Sequence, residues 1–584
     1  MKALRYLDKY LKKYKWQLFV GVIITVISRI FSLFAPRLIG NSLTTVEKFL
    51  NENQVSLEEV KQILLINILI IVGASIMSAL FTFLMRQMII NVSRYIEYDL
   101  KNEIFEHYQI LDQSFYKNNR TGDLMNRISE DVSKVRLYVG PALMYGINTI
   151  TLFFIVITFM INIAPQLTLY VLFPLPFLSY LIYRLSKIIN YRSTKVQEML
   201  SKLSSYTQEI FSGISVIKSF DLKNKINVSL LSLSNLAQEK NMSLAKVQAW
   251  FFPLMMLMIG ISNLLVILIG GNLFIKEEIE IGVIAEFIVY INMLTWPVMA
   301  VGWITSIVQQ AEASQKRINE FLNIKPKITD GIGVKKKMVG KIVFKDVSIT
   351  YPETNINALD SISFVLNSGK TLGIVGAVGS GKSTLLDLIP RLYDPKKGSV
   401  FIDENLIKDF KISELRKFIG YVPQSGFLFS GTIKENIIFG SKGKTKNDMV
   451  EVSKKACVHD NIMMFKKNYN TLIGERGVTL SGGQIQRLTI ARALIKNPKI
   501  LLLDDCLSAV DIETEEKILR NLKEIRKNKT TIIVSHRISS VKQSDQIIVL
   551  ENGKIIQSGT HNDLILEKGY YRKLNDKQIN EKHN

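Results

Sequence analysis

The chain has 584 residues, 47% of them hydrophobic and 21% charged, with a formal net charge of +23. That length excludes a single ordinary domain, and a mean hydropathy of +0.18 is high for a soluble protein. No Lys/Arg block is dense enough to mark an RNA or DNA site, so no nucleic acid is expected as a partner. The basic balance reads instead as cytoplasmic loops facing anionic lipid. Two cysteines, Cys457 and Cys506, show no pairing pattern, which fits a reducing cytosol. No signal peptide is visible.

Residues 2–15 place Leu4, Leu7, Leu11 and Tyr14 at helical spacing with lysines between. This predicts an interfacial amphipathic helix along the inner leaflet. Six apolar segments follow, near 16–44, 60–92, 138–163, 167–190, 249–275 and 281–310. Each is long enough to span a bilayer, which needs about 20 residues. Two long polar connections, about 94–137 and 191–248, are mixed in charge and helix-prone. The N-terminal segment is basic, and the loop at Lys276–Glu280 is acidic. The positive-inside rule therefore predicts a multi-pass protein of the bacterial cytoplasmic membrane, with both termini and the long connections in the cytoplasm.

Arg29, Arg37, Arg86 and Glu286 interrupt the apolar runs. Charges at membrane depth usually face a bundle interior or an aqueous cavity, so these could line a substrate path. The plainer readings are that Arg37 and Arg86 snorkel at an interface and that Arg29 pairs with Glu286.

After Leu322 comes a Lys-rich linker, 323–339, and then strand-like alternation from Lys341. Domains are expected at 1–322 (membrane) and 340–576 (nucleotide-binding), with a polar tail at 577–584. The stretch Thr371–Ile389 reads as strand, Gly-rich turn and helix. Within it Gly376, Ala377, Val378, Gly379, Ser380, Gly381, Lys382 and Ser383 match G-x-x-x-x-G-K-S, followed by Thr384. The glycines let backbone N–H groups turn onto phosphate oxygens, Lys382 reaches the β and γ phosphates, and Ser383 ligates Mg²⁺. The apolar run Ile500–Leu503 leads into Asp504, placed to hold Mg²⁺, and Asp505, placed as a general base.

Tyr351 could stack on adenine, or be a strand-end surface residue. Gln424 could reach Mg²⁺ or the attacking water, or be a turn residue. Leu480, Ser481, Gly482, Gly483 and Gln484 open a helix with a Ser-Gly-Gly turn, a second set of free N–H groups suited to phosphate. One nucleotide does not obviously need both sets from one molecule. His536 follows the apolar strand 530–535 and could sense a γ-phosphate, or be a satisfied core residue.

Together these motifs resemble an ATP-binding cassette, and nearly the whole chain resembles a bacterial ABC exporter half-transporter. The implied fold is an α-helical transmembrane domain of six helices with long cytoplasmic extensions, fused to an α/β P-loop cassette. Phe115–Val132 and Glu209–Phe220 resemble the intracellular coupling regions, and Ala311–Leu322 resembles the join to the cassette. By resemblance Tyr351 is the adenine-stacking residue, Gly376–Thr384 the Walker A loop, and Gln424 the Q-loop. Leu480–Gln484 is the signature, Asp504 the Walker B metal ligand, and His536 the switch histidine. Gly474–Gly477 resembles the loop before the signature, and Ser508–Asp511 the D-loop. The family works as a dimer, with ATP and Mg²⁺ held between Walker A of one cassette and the signature of the other.

One position departs from the family pattern. Efficient members carry Glu after the Walker B aspartate, and this chain has Asp505. Asp is one methylene shorter, and a base misplaced by about 1 Å can cost roughly 10²-fold in rate. The intact signature serves the partner's ATP. The expectation is a heterodimer with a second half-transporter bearing Glu, with a slow site at Asp505. A homodimer tolerating Asp, and an ATP-gated channel or regulator, are the alternatives. The expected activity is ATP-driven export of a small hydrophobic or amphipathic substrate, a drug, lipid or peptide, among membrane lipids.

Overall fold

The computed structural model describes residues 2–52, 56–334, 338–351, 354–441, 443–474, 480–525 and 528–583. The chain divides into two compact units. One comprises Met1–Gln109 and Gly122–Ile324, the other Ile110–Thr121 and Lys325–Asn584. The expected boundary at 322 thus shifts by two residues. The expectation of one continuous N-terminal domain is corrected, because residues 110–121 cluster with the second unit.

The first unit is helical. Among the described residues, five helical runs are long and apolar enough to cross a membrane: Lys15–Leu50, Leu57–Ile110, Thr121–Ile163, Lys223–Ile275 and Ile281–Leu322. The fourth expected segment is not one of these five. It is helical over Pro165–Leu172 and Pro174–Ser212 and is divided at Phe173, where Pro174 supplies no backbone N–H. Both polar connections are helices that extend the spans, through Ile110 on one side and through Ser212 and Lys223–Gln248 on the other.

The N-terminal segment departs from expectation. It is a short 3₁₀ turn, Ala3–Leu7, followed by helix Asp8–Lys13. Leu4, Leu7 and Tyr10 are buried in protein. The Tyr6 and Tyr10 hydroxyls both donate to Glu103, and the Ala3 N–H donates to Glu312 at 3.0 Å. The apolar face is therefore covered by other helices of this unit, and lipid is not what buries it.

Several polar groups within the spans are paired. Arg29 Nε donates to Asn148 Oδ1 at 2.5 Å, while Glu286 accepts from the Tyr290 hydroxyl. The expected Arg29–Glu286 pair is not formed, since each finds a nearer partner. Arg86 Nη2 lies 3.5 Å from the Tyr145 hydroxyl, and the Tyr145 ring packs on Trp296 and Trp303 at 5.2 and 5.4 Å.

Helix–helix contact in the membrane lacks a hydrophobic driving force and depends on close approach through small residues. Helices Phe34–Glu52 and Ile281–Leu322 meet in this way at Gly40 and Gly282. A Cβ on Gly282 would overlap the Gly40 carbonyl and the Thr44 hydroxyl, and the Gly282 N–H donates to Thr44 Oγ1 at 3.2 Å.

The second unit is α/β. Its strands are β1 (Ile342–Thr350), β2 (Asn357–Leu366), β3 (Thr371–Gly376), β4 (Lys397–Ile402), β5 (Asn405–Leu406) and β6 (Ile419–Val422). They continue with β7 (Gly431–Thr432), β8 (Leu472–Ile473), β9 (Ile500–Asp504), β10 (Thr530–Val534), β11 (Gln546–Glu551) and β12 (Lys554–Gly559). The main sheet runs β12-β11-β3-β10-β9-β6, and an antiparallel sheet runs β2-β1-β4-β5.

β3, β9 and β10 are buried along their whole length, as parallel strands covered on both faces must be. Alternate residues feed two cores. Leu501, Leu503 and Ile533 lie in one, and Ile500, Leu502, Ile532 and Val534 in the other. Helix Tyr570–His583 runs into the segment expected as a polar tail, 577–584.

Filling the Gly40–Gly282 contact should separate these two helices. Gly282→Val is expected to cost about 1–3 kcal/mol, as overpacking does. A thermal unfolding midpoint unchanged from the parent in detergent would contradict that packing.

Candidate functional site

The site begins where β3 ends. Gly376 closes the strand, and a Cβ there would overlap the Leu550 carbonyl. Gly381 has φ +97°, and its Cβ would overlap the Ala358 carbonyl. Only glycine meets both the left-handed backbone and the close approach. Between them Ala377, Val378 and Gly379 form an exposed crown, while Ser380 is buried. Helix Lys382–Leu388 follows directly.

Lys382 folds back over this loop, its Nζ donating to the Gly376 and Ala377 carbonyls at 2.9 and 2.7 Å. Burial pulls its ammonium below the usual lysine range, against the opposing pull of Asp505 and Asp504. Two neutral carbonyls hold this cation, and a charged acceptor such as a phosphate oxygen would bind it more strongly.

β9 delivers the two aspartates. Ser383 Oγ donates to Asp504 Oδ1 at 3.1 Å. Burial pushes the Asp504 carboxyl up to about 6; Asp387 and Asp505 add to the rise, while Ser383 and Lys382 oppose it. A hydroxyl and a buried carboxylate side by side are hard oxygen donors, and the pair fits a Mg²⁺ ion.

Asp505 is 8% exposed and adopts φ +42°, a left-handed conformation that Asp tolerates better than most residues. Its N–H donates to the Val534 carbonyl at 3.0 Å. Its Oδ1 accepts the His536 N–H at 3.4 Å. Burial and the nearby Lys382 hold the His536 imidazole below its ordinary range, with Asp505 opposing. The ring is therefore neutral at pH 7, a hydrogen-bonding group without charge.

Three further sequence candidates surround this centre. Tyr351 is half-buried, its hydroxyl 3.0 Å from Thr384 Oγ1, with the Tyr393 ring edge-on at 5.4 Å. Lys117, from the 110–121 segment, places its ammonium 4.8 Å from the Tyr351 ring centre. Gln424 is exposed, and its carbonyl accepts from Gln486 Nε2 at 3.2 Å.

The five residues Leu480–Gln484 form a capped helix start. Ser481 precedes helix Gly482–Ile495, its Oγ accepting the Gln484 N–H at 3.3 Å, while Gln484 Oε1 accepts the Ser481 N–H at 3.0 Å. The Ser481 hydroxyl thus acts as an acceptor and keeps its own proton for another oxygen. Leu480 packs on the core, and Gly483 lies against the Ala509 carbonyl. Among the described residues, no hydrogen bond joins Leu480–Gln484 to Gly376–Thr384. Of the expected loop Gly474–Gly477, residues 475–477 lie outside the described residues.

Two residues that sequence reasoning passed over also belong here. Gln486 donates to the Gln424 carbonyl and accepts the Ala509 N–H at 3.3 Å, tying the expected Q-loop to the expected D-loop. Gln578 donates to the His536 carbonyl at 2.7 Å. A lone glutamine carries no periodicity or spacing signal that would have picked out either one.

Comparison with known proteins agrees with this geometry. A family model described as "ABC transporter transmembrane region" matches residues 18–298, and one described as "ABC transporter" matches residues 359–508. The chain is 38% identical over 496 residues to the Bacillus subtilis uncharacterized ABC transporter ATP-binding protein YknU, covering 83% of this chain and 84% of that protein. It is 33% identical over 580 residues to the Bacillus subtilis probable multidrug resistance ABC transporter ATP-binding/permease protein YheI, covering 99% and 97%. A solved bacterial Atm1-family ABC exporter with ATP bound shares the fold at a TM-score of 0.80 and 22% identity, over 97% of this chain and 99% of that one. The chain belongs to the ABC transporter family, as a half-transporter with one membrane region and one cassette fused in a single polypeptide.

Proposed function

We propose that this chain is one half of a dimeric ATP-driven exporter, paired with a second half-transporter that carries Glu where this chain has Asp505. One observation carries the reading. The same unit holds a phosphate loop with its metal pair, Lys382, Ser383 and Asp504, and a separate capped helix start at Ser481 that does not bond to that loop. Two anion-binding elements that do not meet within one chain are what a nucleotide shared across a dimer requires.

In this reading Gly376–Thr384 wraps the phosphates and Lys382 transfers its ammonium from the loop carbonyls to them. Ser383 and Asp504 would hold Mg²⁺, which would supply charge neutralisation at the phosphates. Gln424 completes that ligand set or orients the water, and Tyr351 stacks on adenine. His536 presents its neutral imidazole to the γ-phosphate. Leu480–Gln484 serves the ATP bound by the partner's Walker loop. Asp505 is the base, shortened by one methylene, so this site binds ATP and turns it over slowly. Closure of the cassettes drives the membrane helices outward-facing.

The substrate is hydrophobic or amphipathic. Supporting this are the Tyr145, Trp296 and Trp303 rings grouped beside Arg86 and the multidrug names of relatives such as YheI. The termini and cassette lie on the cytoplasmic side, as the basic N-terminal segment implies.

Three outcomes test the reading. Asp505→Glu in the assembled transporter should raise single-turnover hydrolysis at this site, by up to about 10²-fold. No rise would mean that the shortened base is not limiting. The chain purified alone should hydrolyse ATP far more slowly than when mixed with a Glu-bearing half-transporter, and equal rates would favour a homodimer.

The third concerns Mg²⁺. Asp504 must be ionised to ligate it, and its carboxyl titrates at about 6. Protons compete below that value and not above it. Apparent Mg²⁺ affinity should therefore be level from pH 7 to 8 and fall by up to about tenfold per pH unit below 6. A Mg²⁺ titration that is level down to pH 5 would remove Asp504 from the ligand set.

A further inference from the structure

The short segment carrying His536 has almost no regular backbone bonding of its own. β10 ends at Val534, and helix Ile538–Val541 begins only after Arg537. Backbone satisfies the Ser535 N–H, through the Ile374 carbonyl at 3.1 Å, and the Arg537 carbonyl, through the Ser540 N–H at 3.3 Å, and side chains take four more peptide groups. The His536 N–H donates to Asp505 Oδ1 at 3.4 Å, and the Arg537 N–H donates to Ser535 Oγ at 3.0 Å. The remaining two groups go to one residue. Gln578 Nε2 donates to the His536 carbonyl at 2.7 Å, and Gln578 Oε1 accepts the Ile538 N–H at 2.9 Å.

Only a primary amide can make this contact. It donates and accepts at neighbouring atoms, as a strand edge would, and so closes on the two peptide groups that flank Arg537. The Arg537 side chain is held separately, by the buried Glu515. Glu515 also accepts from the Ser540 hydroxyl at 2.5 Å.

The helix bearing Gln578, Tyr570–His583, is itself anchored. Tyr571 is fully buried, its hydroxyl 2.7 Å from His561 Nδ1 and its N–H donating to Gln557 Oε1 at 3.1 Å. An anchored helix therefore grips the His536 carbonyl, while Asp505 holds its N–H.

We infer that Gln578 is a positioning residue for ATP hydrolysis: the C-terminal helix sets the distance at which His536 meets the γ-phosphate. This rests on the proposed role of His536. Without the amide, the His536 carbonyl and the Ile538 N–H lose their protein partners. His536 itself then keeps the Asp505 contact at its N–H and loses the one at its carbonyl. A group of this kind must be kept within about 0.5 Å of its working place.

The test compares Gln578→Met, which keeps the length and loses both hydrogen bonds, with the parent transporter in membranes, the partner's own Walker lysine being replaced in both so that phosphate release from ATP reads the site of this chain alone. Gln578→Met should lower kcat about tenfold and leave KM for ATP within about twofold, the pattern of an interaction needed after binding. Gln578→Asn, one methylene too short to reach, should do the same and serves should the methionine variant fail to fold.

The discriminating measurement is a double-mutant cycle with His536→Ala. If Gln578 acts through His536, adding Gln578→Met to His536→Ala slows hydrolysis no further. Parental kcat in Gln578→Met, or further slowing on top of His536→Ala, would overturn the inference while leaving the role of His536 intact. Parental hydrolysis in His536→Ala alone would overturn both.

Discussion

Parallel pairing of β10 with β3 on one side and β9 on the other is the interaction on which the nucleotide-binding unit depends. The register sets Val534 level with both Ile374 and Asp504. β9 and β10 therefore end level, β3 runs on to Gly376, and each continues directly into the candidate site. β3 leads into the glycine loop, β9 into Asp505, and β10 into Ser535 and His536. A shift of one residue in β9 would turn Asp504 into the core and an apolar side chain toward Ser383, because strand side chains alternate. The buried Leu and Ile residues of β9 and β10 enforce the register, since they fill two different cores by turns.

The parts of the site that the sequence makes legible are those with spacing or periodicity. The run Gly376–Ser383 is readable because a phosphate loop demands small residues at fixed offsets. Asp504 is readable because an apolar strand points at it. Ser481 and Gln484 are readable as a helix start because capping needs those two residue types three apart. Gln486 and Gln578 were not readable. Each acts by one amide, across 62 and 42 residues, and no local pattern marks an amide that will meet a distant peptide group.

The membrane half was legible as apolar length and not as contact. Its helices and their polar extensions follow from hydropathy and charge. Which face meets protein does not, because lipid and protein interiors are equally apolar. Leu4 and Leu7 have the spacing of a lipid-facing stripe yet are buried in protein. Arg29 could have paired with either the Glu286 carboxylate or an amide, and Asn148 lies nearer in the fold. Gly40 and Gly282 are two of 33 glycines. Only the packed structure shows that each one's backbone occupies the space of the other's missing side chain.

Asp505 draws these strands of argument together. Its backbone is tied to β10 through Val534, and its carboxylate is tied to the His536 N–H. His536 is in turn tied to Gln578. In the proposed reading the base and the γ-phosphate contact are parts of one hydrogen-bonded chain running from β9 to the C-terminal helix. A carboxylate that spends one oxygen on a backbone N–H is held short and low, with one oxygen left for water. A glutamate there would carry its carboxylate one methylene past that N–H, so lengthening the side chain both extends the reach of the base and loosens the anchor of the switch. If Asp505 and His536 act as proposed, the residue after the Walker aspartate sets two distances at once, and the Gln578 contact limits how far the second moves when the first is changed.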